Sequence, residues 1–133
     1  MSFVFAQTTG DITVKVIPQF LKRESEPDSG KFAWAYTVVV QNESSEPVQI
    51  LNRNWKIVDS NGFIQEVSGQ GVVGQTPTIL PGESYEYTSM TNLLTGSGMM
   101  LGAYDVCSKS GKKFSVEVPA FSLDSEFGTS LPN

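Results

Sequence analysis

The residues whose types and spacing could do chemistry are few. Ser68-Gly69-Gln70-Gly71-Val72-Val73-Gly74-Gln75-Thr76-Pro77 contains G-x-G-x-x-G, the spacing that holds a pyrophosphate in dinucleotide-binding proteins. Glu24, Glu26 and Asp28, followed by Gly30, have the look of a calcium loop. Cys107 is the single thiol, and the chain has no histidine. The missing imidazole excludes every Ser-His or Cys-His nucleophile and the usual transition-metal ligand, so Cys107 reads as a small buried hydrophobe. In the acidic segment the glycine falls one position late, and Ala35 stands where the bidentate carboxylate belongs. That segment reads as a solvated loop, with neither a dedicated metal site nor a resident cofactor. Magnesium, which keeps most of its waters, stays open as a weak ligand.

The elements that must position these residues are strands. Ile12, Val14 and Val16 alternate with polar residues, as do Phe32, Trp34, Tyr36, Val38 and Val40 with their neighbours. Pro47 to Leu51 and Trp55 to Val58 continue the pattern, and Asn61-Gly62 predicts a hairpin turn into Phe63 to Val67. Pro81-Gly82 predicts a type II turn that launches Ser84 to Ser89, with Tyr85 and Tyr87 on one face. Gly102 to Cys107 and Lys113 to Val118 form a last hairpin. No amphipathic helix of normal length is present. Seven or eight short strands with no repeat indicate an all-β, antiparallel β-sandwich of the immunoglobulin-like or fibronectin type III-like kind. The domain spans 1–123, and 124–133 reads as a flexible C-terminal tail. Trp34, Tyr36, Trp55, Phe114 and Phe121 are assigned to the core, and one of Met99 and Met100 should face it.

In this setting the glycine segment loses its meaning as a dinucleotide fingerprint, because two prolines follow it and no helix can. Two readings stay open: a nest of backbone amides for pyrophosphate or a nucleotide, and an irregular loop whose glycines let the chain cross between sheets. The net charge of −5 argues against nucleic acid. No run approaches the ~20 apolar residues of a membrane-spanning helix. With one cysteine and an N-terminal apolar run too short for a signal peptide, the chain reads as cytoplasmic.

The sequence resembles the ApaG family, also called DUF525. Carrying the resemblance are Arg53-Asn54-Trp55, Val67 to Gln75, Leu80-Pro81-Gly82-Glu83, Tyr85 to Ser89, Leu93 with Thr95, Gly98-x-Met100-x-Gly102-x-Tyr104 and Val118-Pro119-Ala120-Phe121-x-Leu123, from about Asp11 to Leu123. It implies a fibronectin type III-like sandwich without established enzymatic activity, associated with cobalt resistance and magnesium efflux. Related domains in F-box and polymerase-interacting proteins imply a protein-interaction module. Where the family usually has histidine this chain has Asn54, so a role needing that imidazole does not carry over. Arg53, the cation that matches the family beside the tryptophan, either salt-bridges structurally or supplies charge to an anion over Gly69, Gly71, Val72, Val73 and Gly74. The leading expectation is a non-enzymatic module binding a protein partner through strand edges or this loop, with self-association also compatible. A small-anion or nucleotide sensor is the alternative.

Overall fold

The computed structural model describes residues 3–125. Among these residues nine strands run in chain order: β1 (Phe5–Thr9), β2 (Ile12–Phe20), β3 (Phe32–Asn42), β4 (Val48–Asp59), β5 (Ile64–Gln70), β6 (Thr78–Ile79), β7 (Ser84–Leu93), β8 (Ser97–Ser108) and β9 (Lys113–Asp124). All pairings are antiparallel. One sheet has the order β1-β2-β3-β7 and the other β5-β4-β8-β9, with β6 pairing to β4 beyond the end of β5. The β-sandwich expected from the alternation is the observed fold. The sequence reading had not recognised β1, whose exposed pattern carries little apolar signal. No helix among the described residues is long and apolar enough to cross a membrane.

Alternation does what it should. Ile12, Val14 and Val16 of β2 and Trp34, Tyr36, Val38 and Val40 of β3 are buried, and they meet Ile50, Trp55, Tyr104, Val106, Val116 and Phe121 of the facing sheet in one core. Trp55 lies at its centre, with edge-on contacts to Tyr36, Tyr104 and Phe121 at centroid distances of 5.6, 6.2 and 6.2 Å. Met100 is fully buried while its neighbour Met99 faces out. Two core assignments need correction. Phe114 only leans on the core from its rim, beneath the Lys112 ammonium, and Cys107, at an odd position of β8 where even positions point inward, is half-buried.

Two β-bulges change which residues face the core. Along β8 the inward residues are Met100, Tyr104, Val106 and Ser108, without interruption. On β4 the pairing slips between Ile50 and Asn52, so Leu51 is an extra residue; inward positions are Val48 and Ile50 before it, and Arg53, Trp55 and Ile57 after it. On β9 the slip is at Pro119-Ala120, where Val116 and Val118 give way to Phe121 and Leu123. Proline fits there because a bulge spares the missing N–H.

The ends and seams are pinned by polar groups. Buried Asn42 gives its amide hydrogens to the carbonyls of Glu46 (2.8 Å) and Ile79 (2.9 Å) and accepts from the Ser44 amide and hydroxyl. Along one side the sandwich is sealed: Phe5 meets Phe121 at 6.2 Å, and the Glu117 amide donates to Thr9 Oγ1. The sheet also continues past 123. Asp124 belongs to β9, its carbonyl accepts the Trp34 indole N–H at 3.2 Å, and the Ser125 amide donates to the Gly96 carbonyl. The remainder of the 124–133 segment lies outside the described residues.

Candidate binding cleft

Opposite the sealed seam, the two sheets end in β5 and β7, and neither has a neighbour on its outer side among the described residues. The inner face of β7 starts with Tyr85 and Tyr87 but continues with Ser89 and Thr91, side chains too small to reach the other sheet. The result is a cleft of about 420 Å³. Tyr36, Trp55, Ile57 and Met100 form its floor, Gln65 and Val67 of β5 one wall, and Ser89 to Asn92 of β7 the other. Successive side chains on a strand point to opposite faces, so where four consecutive residues line a cleft, backbone forms part of that wall, and β7 is the end strand of its sheet.

Arg53 is the cation of this cleft. The Leu51 bulge turns it inward beside Trp55, and its guanidinium lies flat on Gly69, the residue paired with it across β4 and β5. A methyl group at Gly69 would stand 2.9 to 3.0 Å from the guanidinium atoms, so a larger residue would push the arginine from this seat. Nη1 donates to the carbonyls of Gln70 and Gly71, each at 3.1 Å. Nε and Nη2 have no acceptor, and no carboxylate pairs with Arg53, among the described residues. A structural salt bridge is therefore absent within that range, and what Arg53 secures is the loop's carbonyls. Below it, the hydroxyls of Tyr87 and Tyr104 are hydrogen-bonded to each other in the core. Burial pushes both phenols well above their ordinary pKa, with the nearby Arg53 charge opposing the shift. A hydroxyl pair uses one hydrogen between two oxygens, so the second O–H remains a donor.

The glycine segment is a hook on the flank of β4. The Gly71 amide donates to the Leu51 carbonyl at 2.6 Å, and Val72 and Gln75 exchange backbone hydrogen bonds of 2.7 and 3.0 Å. Gly71 has φ +67, and a Cβ on it would come within 2.1 Å of the Gln75 carbonyl oxygen. Val73 (φ 46) and Gly74 (φ 78) then turn the chain as the centre of a type I′ turn. A β-branched residue in this left-handed region is a true outlier, and Val73 holds it while 59% exposed. Val72, by contrast, is fully buried. Of the amides in a would-be nest, those of Gly71, Val72 and Gln75 are already committed to carbonyls. Strand β6 and not a helix follows the segment.

Thus Arg53 and the Gly69 to Gly74 segment, both chosen from the sequence, do come together, whereas Asn54 points to the other side. Its amide donates to Asp105 Oδ2 at 3.3 Å and accepts from Ser68 Oγ at 3.1 Å, in a shallow depression of about 470 Å³ on the outer face of the β5-β4-β8-β9 sheet. That depression mixes Lys56 with Glu66 and Glu117. Glu24, Glu26 and Asp28 are exposed in the β2–β3 connection, and no group of three or more metal-ligating side chains is assembled among the described residues. The cleft residues of β5 and β7 were not singled out from sequence; the signal was there in Tyr85-x-Tyr87-x-Ser89-x-Thr91, where the inward positions turn from aromatic to small and polar.

The family model described as the ApaG domain (DUF525) matches residues 22–108. The chain belongs to the ApaG family. A protein ApaG of Rhodospirillum centenum is 47% identical over 130 residues, covering 98% of this chain and all of that protein. One of Agrobacterium fabrum is 47% identical over 122 residues, with 92% and 94% covered. Among solved structures, a Bordetella pertussis protein called ApaA superposes with a TM-score of 0.85 at 41% identity, over 86% of this chain and 94% of that one. The C-terminal domain of wzt reaches 0.55 at 9% identity, over 92% and 77%, a likeness of fold alone. The ApaG match spans both the Arg53 strand and the glycine hook, so the cleft is built from the part of the chain that defines the family.

Proposed function

We propose that this ApaG domain is a non-enzymatic protein-interaction module of the cytoplasm that receives a partner's backbone along strand β7, in a pathway of cobalt resistance and magnesium efflux. The observation that carries this reading is the unpaired edge of β7, which forms a wall of a cleft with an apolar floor. A free strand edge offers a row of N–H and C=O groups, and adding a strand to it is an ordinary mode of peptide recognition. Exposed Met90, on the outer face of β7, adds apolar contact area beside that edge. The anion-sensor alternative has less support, because the amides of Gly71, Val72 and Gln75 are committed and Arg53 turns Nη1 toward the hook's carbonyls.

Site-specific photo-crosslinking in the native host tests this reading. A photoreactive residue at position 90, on the exposed face of β7, should give a discrete adduct whose second component is a different polypeptide. The same residue at position 109, in the β8–β9 turn, should not. If position 90 yields only the uncrosslinked chain, or only its own dimer, partner binding along β7 is wrong.

A further inference from the structure

We infer that the cleft recognises one carboxylate on an extended peptide, held by the Nε/Nη2 side of Arg53 while the peptide backbone pairs with Ser89 to Asn92 of β7. This rests on the interaction reading and names what the partner must present. Arg53 is half-buried, yet it lacks an ion pair among the described residues, and its Nη1 is fixed by two carbonyls. Anchoring one nitrogen holds the planar group in place and leaves the other edge open, the geometry that grips a carboxylate through two parallel hydrogen bonds. Stacking on Gly69 fixes the plane of that fork.

Charge decides the class of ligand. Among the described residues Arg53 is the sole cation lining the cleft, and the chain carries a net charge of −5. One positive charge in a negative molecule matches a monoanion and disfavours pyrophosphate or a nucleotide, which bring several charges and need several donors. Trp55 and Ile57 of the floor are almost wholly buried, so with half-buried Val67 beside them the cleft offers an incoming side chain only a small apolar contact. The wall of four consecutive β7 residues asks for a backbone. A glutamate or aspartate on an extended segment, with a small β-branched side chain two positions away on the same face, meets these demands.

The experiment is a backbone-amide NMR titration of the full chain with N-acetylated, C-amidated peptides of alternating valine and threonine containing one central glutamate. An otherwise identical peptide with glutamine is the comparison, and inorganic phosphate and pyrophosphate are separate arms. The expected result is saturable shifts of Ser89 to Asn92 and of the Arg53 Nε–H, with the glutamate peptide bound about tenfold or more tightly than its twin. Arg53→Lys keeps the charge but loses the fork and should erase most of that preference. Gly69→Ala, which pushes the guanidinium from its seat, should do the same should the lysine variant fold poorly.

Equal binding of the two peptides overturns the inference, as does a phosphate response centred on Val73 and Gly74. Shifts that depend on protein concentration alone would make a second copy of the chain the occupant and also overturn it. Failure of every peptide, alongside a position-90 adduct with a different polypeptide, would sink the carboxylate site and leave the interaction reading standing.

Discussion

Replacing Val73 by asparagine should stabilise the protein. Val73 has φ 46 at the first central position of a two-residue turn, followed by Gly74 at φ 78. For an L residue the left-handed region costs about 1–2 kcal/mol, and β-branching puts valine toward the upper end. Asparagine visits that region far more readily, and Asn-Gly is the favoured pair for a type I′ turn. The side chain is 59% exposed, so little apolar burial is lost in the exchange. The net gain should be about 1 kcal/mol. With an unfolding entropy near 2.1 cal/mol/K per residue over about 120 residues, that corresponds to a rise of about 4 °C in Tm. Urea denaturation followed by tryptophan fluorescence should show a higher midpoint at unchanged slope. An unchanged or lower midpoint would refute the reasoning, because it would mean that the turn costs nothing or that valine makes compensating contacts.

Asn42→Ala should destabilise by about 2–3 kcal/mol, since it strands buried acceptors at Glu46 and Ile79, and chemical denaturation would measure it. Gly102→Ala should cost about 1–3 kcal/mol and shift the tryptophan emission, because the added methyl would sit 2.4 Å from the Asn54 carbonyl oxygen and 2.8 Å from Trp55 Cε3. Tyr87 and Tyr104 hold their protons more tightly in the folded state than in the unfolded chain, so their contribution to stability is intact below the unfolded tyrosine pKa of about 10 and is lost as pH rises from there through the folded values. Denaturation midpoints should therefore fall between pH ~10 and 11, and Tyr87→Phe with Tyr104→Phe should flatten that fall. Each single phenylalanine variant should cost about 1 kcal/mol, with the double variant costing less than the sum. A double variant whose stability keeps the original pH slope would show that other groups set it.

The sandwich was legible because β2, β3 and β7 advertise period-two alternation, and because Asn61-Gly62 and Pro81-Gly82 mark turns that the structure forms. Gly82 indeed has φ +81, and the Glu83 amide donates to the Leu80 carbonyl. The bulges were written in the sequence too. Ile50 and Arg53 stand three apart where strict alternation allows only even spacings, and so do Val118 and Phe121. Arg53 and the glycine segment were found from residue type and family pattern. The cleft was harder to see, because it is made by what β7 lacks opposite β5, and a missing side chain leaves no motif. The fate of the loop amides was illegible for a related reason: whether Gly71 N–H points at a ligand or at Leu51 depends on a bulge in a strand 20 residues earlier.

That bulge joins two jobs in one residue. Leu51 is the position the β4–β8 ladder can spare: removing it would restore regular pairing and leave Arg53, Trp55 and Ile57 on their present side. It is also the residue whose carbonyl holds Gly71. The hook hangs from a supernumerary link, so shortening the chain there would set the segment from Gly71 to Gln75 loose while the tryptophan interior stayed shut. Deleting Asn54 instead would also make the spacing from Ile50 to Trp55 even and keep the tryptophan inside, but it would turn Arg53 to the outer face. Length variation among relatives should accordingly concentrate at Leu51 and at Pro119-Ala120, and wherever position 51 is lost, the glycine spacing beyond it is free to drift.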